Sequence, residues 1–202
     1  MKIAARASLG DVALQVGDAL RRHGIRAVLT GGACASLHTG GVYHSVDMDF
    51  IVLGHVTQAA LDAAMAAIGF RRTGDRYVHP RVPFYVEFPR GPLAIAGDYR
   101  IRPVEHRRRH TRALVLSPTD SCRDRLAAFY YWNDRQSLAV AVAIALPNRV
   151  NMTAIRRWSI AEGAEPRFHE FLADLKSARR RRSRPAAGRP RAGRLPQRST
   201  QL

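Results

Sequence analysis

The residues of this chain best equipped for chemistry are Thr30-Gly31-Gly32-Ala33 and, fifteen residues after Gly32, Asp47-Met48-Asp49-Phe50. A glycine pair lets backbone N–H groups approach a phosphate at the start of a helix. Two aspartates one residue apart on a strand share a face, because strand side chains alternate. On Val46-Asp47-Met48-Asp49-Phe50-Ile51 that rule puts Val46, Met48 and Phe50 on one face and both acids on the other. Two close carboxylates are costly unless positive charge lies between them, and oxygen-ligated Mg²⁺ completed by substrate phosphates is the usual remedy. The pattern predicts a phosphate cradle at Gly31 and Gly32 beside a metal site at Asp47 and Asp49. The plainer alternative is a solvated sheet face next to an ordinary glycine turn.

A third acid would complete a two-metal site, and Glu87 in Phe84-Tyr85-Val86-Glu87-Phe88 is the candidate. Phe84, Val86 and Phe88 take one face of that strand and Glu87 the other. Two cations about 3.5–4 Å apart can clamp the attacking and leaving oxygens of an in-line phosphoryl displacement. Glu87 could hold a metal or accept the proton of the nucleophile. Ser45 falls on the Asp47 face by the same alternation, so its hydroxyl joins Gly31 and Gly32 as a phosphate-binding candidate.

These residues need a strand–turn–helix–strand run to hold them. Residues 25–30 read as a short buried strand, Gly31-Gly32 breaks it, and 33–38 form one or two helical turns before a second strand over 46–53. Upstream, Ser8 caps a helix with Leu9, Val12, Val16 and Leu20 at helical spacing, ending near Gly24. Downstream, Thr57 caps a helix whose Leu61, Ala64, Met65 and Ile68 face inward. Residues 77–78 and 84–88 pair as strands, with Pro80 and Pro83 marking an edge; 99–104 and 113–116 are further strands.

After Ser117-Pro118 the pattern turns helical. One long helix is expected over 119–146, stopped by Pro147-Asn148, then shorter helices over 153–160 and 166–176. An α/β half (1–116) therefore precedes an all-helical region (117–176). The last stretch, 177–202, holds nine arginines and no acid, a composition that predicts a disordered tail.

The 202 residues are 46% hydrophobic, enough for one domain with a real core. The formal charge is +17, from 33 Lys+Arg against 16 Asp+Glu, and residues 1–176 keep +8 of it. Nearly all the basic charge is arginine. Two cysteines without metal-ligand spacing fit a reduced compartment. No apolar run is long enough to span a membrane. A soluble, cytoplasmic protein without membrane partners is the expectation.

Gly31-Gly32 followed by Ser45-Val46-Asp47-Met48-Asp49-Phe50 resembles the signature of the DNA polymerase β-type nucleotidyltransferase superfamily: an apolar residue, Gly-Gly or Gly-Ser, a spacer, then Asp-apolar-Asp. Tyr43-His44-Ser45-Val46-Asp47-Met48-Asp49-Phe50 is similar to a variant in small bacterial nucleotidyltransferases of toxin–antitoxin and abortive-infection systems. Leu116-Ser117-Pro118-Thr119-Asp120, Asp124-Arg125-Leu126-Ala127 and Trp132-Asn133-Asp134-Arg135-Gln136 resemble the helical region of the same group. The likeness spans roughly residues 25–175. Two features depart from it: a slightly long spacer, and Gly32 where Ser is usual.

The resemblance implies an α+β fold of the polymerase β-like kind, a small mixed β-sheet with flanking helices followed by a helical C-terminal region. It also implies Mg²⁺, two ions, at Asp47, Asp49 and Glu87, with NTP phosphates over Gly31-Gly32. It implies transfer of NMP from an NTP to a hydroxyl of a protein or tRNA acceptor, with a cognate toxin or antitoxin protein as a further partner. The rival from another class is a catalytically silent relative that binds a cognate protein or RNA through its arginines. A phosphohydrolase using the same acids is disfavoured, since no His/Asp ligand cluster accompanies them.

Other residues carry weaker readings. His38 suits a structural role, and His44 could approach phosphate. Asp120 suits a helix start, and Asp124 and Arg125 suit pairing with neighbours. Trp132-Asn133-Asp134-Arg135 could floor the cleft and hold a base or acceptor. Arg100, Arg102, Arg107, Arg108, Arg109 and Arg112 could form a positive rim or a solvated hairpin.

Overall fold

Local sequence signals fix most element starts. The computed structural model describes residues 3–41, 43 and 45–183. Helix α1 (Leu9–Arg22) begins where the Ser8 side chain accepts the Asp11 N–H, satisfying a donor that the first turn leaves open. It ends at Gly24, φ +73°, as the Ile25 N–H reaches back to the Leu20 carbonyl. Strand β1 (Ala27–Leu29), helix α2 (Gly31–His38) and strand β2 (Asp47–Val52) follow. Helix α3 (Gln58–Ala66) is capped by Thr57. Then come β3 (Arg71–Thr73), β4 (Arg76–Val78), β5 (Tyr85–Glu87), β6 (Val104–Arg108) and β7 (Thr111–Val115).

The seven strands form one mixed sheet in the order β3-β4-β5-β2-β1-β7-β6. β1 runs antiparallel to β2 and parallel to β7, while β2 runs parallel to β5. Strands β1 and β2 thus lie inside the sheet, where backbone groups are paired on both sides. Met48 and Phe50 are fully buried on the core face of β2. The fold is α+β, as expected.

Four helices complete the chain: α4 (Pro118–Trp132), α5 (Arg135–Ala145), α6 (Met152–Ala161) and α7 (Glu165–Ser183). The apolar interior falls into two clusters, one under the sheet with α1 and α3, the other among α4 to α7. Helix α2 touches both: Ala33 and Cys34 belong to the first, Ala35 to the second.

Three expectations need correction. The single helix over 119–146 is two, because Asn133 takes a left-handed backbone (φ +53°) and Asp134 caps α5 through the N–H groups of Gln136 and Ser137. Asn tolerates that conformation and Asp favours the cap, so the chain turns where alanine-rich helical periodicity suggested continuity. The strand over 99–104 is displaced: β6 starts at Val104 and hairpins into β7, and β3 lacks any buried residue to announce it. Helix α7 continues past Ser177 to Ser183, since Ala178 extends the buried stripe of Phe168, Phe171 and Leu175 by one turn and arginine is a good helix former. The rest of the expected tail, 184–202, and His44 lie outside the described residues.

Candidate functional site

Strand β1 delivers the chain to Thr30, whose N–H donates to the Asp49 carbonyl at 2.9 Å, so the turn into α2 sits directly against β2. Gly31 there has φ +62°, and a Cβ on it would lie 2.7 Å from Asp49 Oδ2. A Cβ on Gly32 would lie 2.8 Å from Ser45 Oγ. Gly31 is required by its left-handed backbone as well as by the carboxylate opposite, whereas a side chain on Gly32 would have to push the Ser45 hydroxyl aside. The Thr30 side chain makes no cap to α2.

Ser45 Oγ donates to the Asp47 carboxylate and also reaches the Asp47 carbonyl at 3.3 Å. On the other side of β2, parallel pairing with β5 sets Asp49 opposite Glu87 and Asp47 opposite Tyr85. Gly31, Gly32, Ser45, Asp47, Asp49 and Glu87 therefore meet at one end of the two inner strands and their neighbour. Asp47, Asp49 and Glu87 are all half-buried.

The Asp49 carboxyl is raised from 3.8 to about 6, first by burial and then by the negative charges of Asp47 and Glu87. Asp124 pushes it further up, and Arg125 pulls it down. Both residues lie near the second turn of α4, which packs against α2, the helix that opens at Gly31. Asp124 and Arg125 do pair with each other, at 2.7 Å, yet their charges also act on Asp49. Helical spacing within α4 gave no sign of this; the segment's place in the family likeness was the one available signal.

The donor set is hard oxygen: carboxylates, a hydroxyl and backbone groups. Among the described residues no three His, Cys, Asp or Glu side chains are arranged to close around one cation. Mg²⁺ commonly takes only one or two protein carboxylates and completes its shell with water and substrate phosphate, so the chemistry of Asp47 and Asp49 fits that ion without an all-protein cage.

Most of the remaining candidates resolve into structural roles. His38 Nε2 lies 2.9 Å from the Leu116 carbonyl, and burial lowers its pKa. Asp120 closes a capping exchange with Ser117 and binds Arg123 at 3.0 Å. Asp134 caps α5, and Arg135 pairs with Glu170 at 2.6 Å. Of the arginines between 100 and 112, Arg100 pairs with Asp98, Arg107 and Arg112 with Glu105, and Arg108 with Asp11. Arg108 and His106 also line a groove of about 620 Å³ that runs past Ser8, Leu37 and Phe84 to Ser45.

No family model, curated protein or solved structure matches this chain. No described helix is long and apolar enough to cross a membrane.

Proposed function

We propose that the protein is a Mg²⁺-dependent nucleotidyltransferase of the polymerase β-like kind, moving NMP from an NTP to a hydroxyl of a protein or tRNA acceptor. The observation that carries the reading is the β2–β5 register. It sets Glu87 against Asp49 while Gly31 leaves no room for a side chain over the same carboxylate. Burial and like charge make Asp49 short of positive charge, and a cation bound with nucleotide relieves that cost.

In this reading Asp47 and Asp49 hold Mg²⁺, two ions when nucleotide is present, and Glu87 completes the acidic set. When bound, the cation supplies charge neutralisation to the triphosphate. Ser45 and the N–H groups at Gly31 and Gly32 bind phosphate oxygens, as a helix start is suited to do. Arg125, whose charge lowers the Asp49 pKa, adds a cation to the set. The acceptor hydroxyl loses its proton to a carboxylate of the set, its oxygen bonds to the α-phosphorus, and pyrophosphate leaves. A cognate toxin or antitoxin protein belongs to the same proposal.

The test is incubation with Mg²⁺ and labelled NTPs, alone and with tRNA or cell lysate. Wild-type protein should label an acceptor, and Asp49→Ala should not; equal labelling by both would place the chemistry elsewhere. The silent-binder reading draws on the absence, among the described residues, of three acids closed around one point. A lack of thermal shift with any NTP plus Mg²⁺ would favour it.

A further inference from the structure

A cavity of about 700 Å³ lies between α4, α6 and residues 97–100, and none of the residues proposed for nucleotidyl transfer lines it. Its volume falls in the range of small-molecule sites. Two of its lining side chains are buried donors short of an acceptor. Trp158 on α6 and Arg123 on α4 are each 7% exposed, and neither Trp158 Nε1 nor Arg123 Nε has a hydrogen-bond partner among the described residues. The two pack together, with the Arg123 guanidinium carbon 5.0 Å from the centre of the indole ring. A buried N–H without a partner costs free energy, and each such group calls for an explanation.

The carboxylates nearby are already engaged. Asp98 and Asp120 accept from the terminal nitrogens of Arg123, at 2.7 Å and 3.0 Å. Asp98 also pairs with Arg100, and Glu162 accepts the Tyr131 hydroxyl. On the cationic side, Arg157 of α6 is exposed at the same cavity and joins no ion pair among the described residues. Tyr99, 65% exposed, adds an aromatic ring to the lining. Two donors that lack acceptors, an unpaired guanidinium and an open ring suit one kind of ligand. Its charged oxygens accept from Trp158, Arg123 and Arg157, and its flat apolar body lies against Tyr99.

We infer that this cavity binds an aromatic oxyanion, an aryl phosphate or an aryl carboxylate, at a site separate from the acids of β2 and β5. The inference does not depend on the nucleotidyl-transfer reading.

Trp132 and Trp158 are the two tryptophans of the chain, so in a Trp132→Phe background indole fluorescence reports on Trp158 alone. Phenyl phosphate, benzoate and inorganic phosphate are titrated into that protein. Phenyl phosphate or benzoate should shift the emission and saturate, and the tighter of the two tells phosphate from carboxylate. Inorganic phosphate, which lacks the ring, should bind about tenfold more weakly than the preferred aryl anion. Arg157→Ala should weaken that anion about tenfold, and Trp158→Phe, followed by calorimetry, should do the same through loss of the N–H. Arg157 is exposed, so its variant carries the test even if Trp158→Phe unfolds. Asp49→Ala should bind as wild type does. The inference is overturned if neither aryl anion binds, or if inorganic phosphate binds as tightly, which marks an adventitious ion only. Unchanged affinity in Arg157→Ala or in a folded Trp158→Phe overturns it too. So does loss of binding in Asp49→Ala, which would put the anion in the acidic cleft.

Discussion

Gly31 and Asp49 are tied by space as much as by chemistry. A methyl group on Gly31 would meet Asp49 Oδ2 at 2.7 Å from a backbone at φ +62°. The left-handed conformation alone costs an alanine about 1–2 kcal/mol, and the carboxylate must also move. Gly31→Ala should therefore lower the melting temperature and weaken Mg²⁺–NTP binding together; unchanged nucleotide affinity would separate the glycine from the site. Asp49 itself gives a pH signature. Its carboxyl is raised from 3.8 to about 6 in the fold, so the folded protein holds that proton more tightly than the unfolded chain. The stability this contributes is full below about pH 4 and is lost as pH rises through 6. Without Mg²⁺, Asp49→Asn should be more stable than wild type at pH 7.5, by about 2 kcal/mol once the roughly 3 kcal/mol of the shift is discounted for the carboxylate's partial exposure to solvent, and the gap should close near pH 4. Denaturant melts at both pH values measure it, and a gap that fails to narrow on acidification rules out Asp49 as its source.

At the scale of elements, the approach of α1 to the sheet is set by a missing side chain. A Cβ on Gly17 would lie 2.3 Å from the Ala113 Cβ on β7, whereas one on Gly10 would meet only the end of Leu37, at 2.8 Å. Leu37 can rotate away; β7, paired on both sides, cannot. Gly17→Ala should cost about 1–3 kcal/mol through overpacking, and Gly10→Ala far less, as read from urea midpoints. Equal costs would mean that α1 can lift from the sheet. The start of α4 matters for a different reason, since it carries Asp124 and Arg125 to the acids. Ser117 caps it by accepting the Asp120 N–H at 3.0 Å. Ser117→Ala should remove about 1 kcal/mol and loosen nucleotide binding more than global stability suggests. Loss of stability with nucleotide affinity intact would show that the cap does not position Arg125.

For the whole molecule, charge is distributed unevenly between folded body and C-terminal stretch. Residues 184–202 carry five of the arginines and no acid, while the last buried side chain of α7 is Ala178. A chain ending at Ser183 should melt with the full-length protein and keep its affinity for Mg²⁺–NTP. Its affinity for RNA should fall and depend less on salt, because each phosphate contact releases counterions. Titrations of one RNA at several salt concentrations give both slopes; identical slopes would exclude the stretch from RNA binding.

The sequence by itself determined what depends on neighbours along the chain. Alternation on β2 placed Asp47 and Asp49 opposite Met48 and Phe50, and caps at Ser8 and Thr57 marked helix starts, because side-chain periodicity and N–H capping act within a few residues. The same local rules misjudged 119–146, where one left-handed Asn133 outweighs a run of good helix formers. Tertiary structure alone decided that β5 lies parallel against β2 and brings Glu87 to Asp49. It alone decided that α4 packs against α2, the helix that opens at Gly31. Strand register and helix docking are settled by burial of faces far apart in the chain, and no short-range pattern encodes which faces meet.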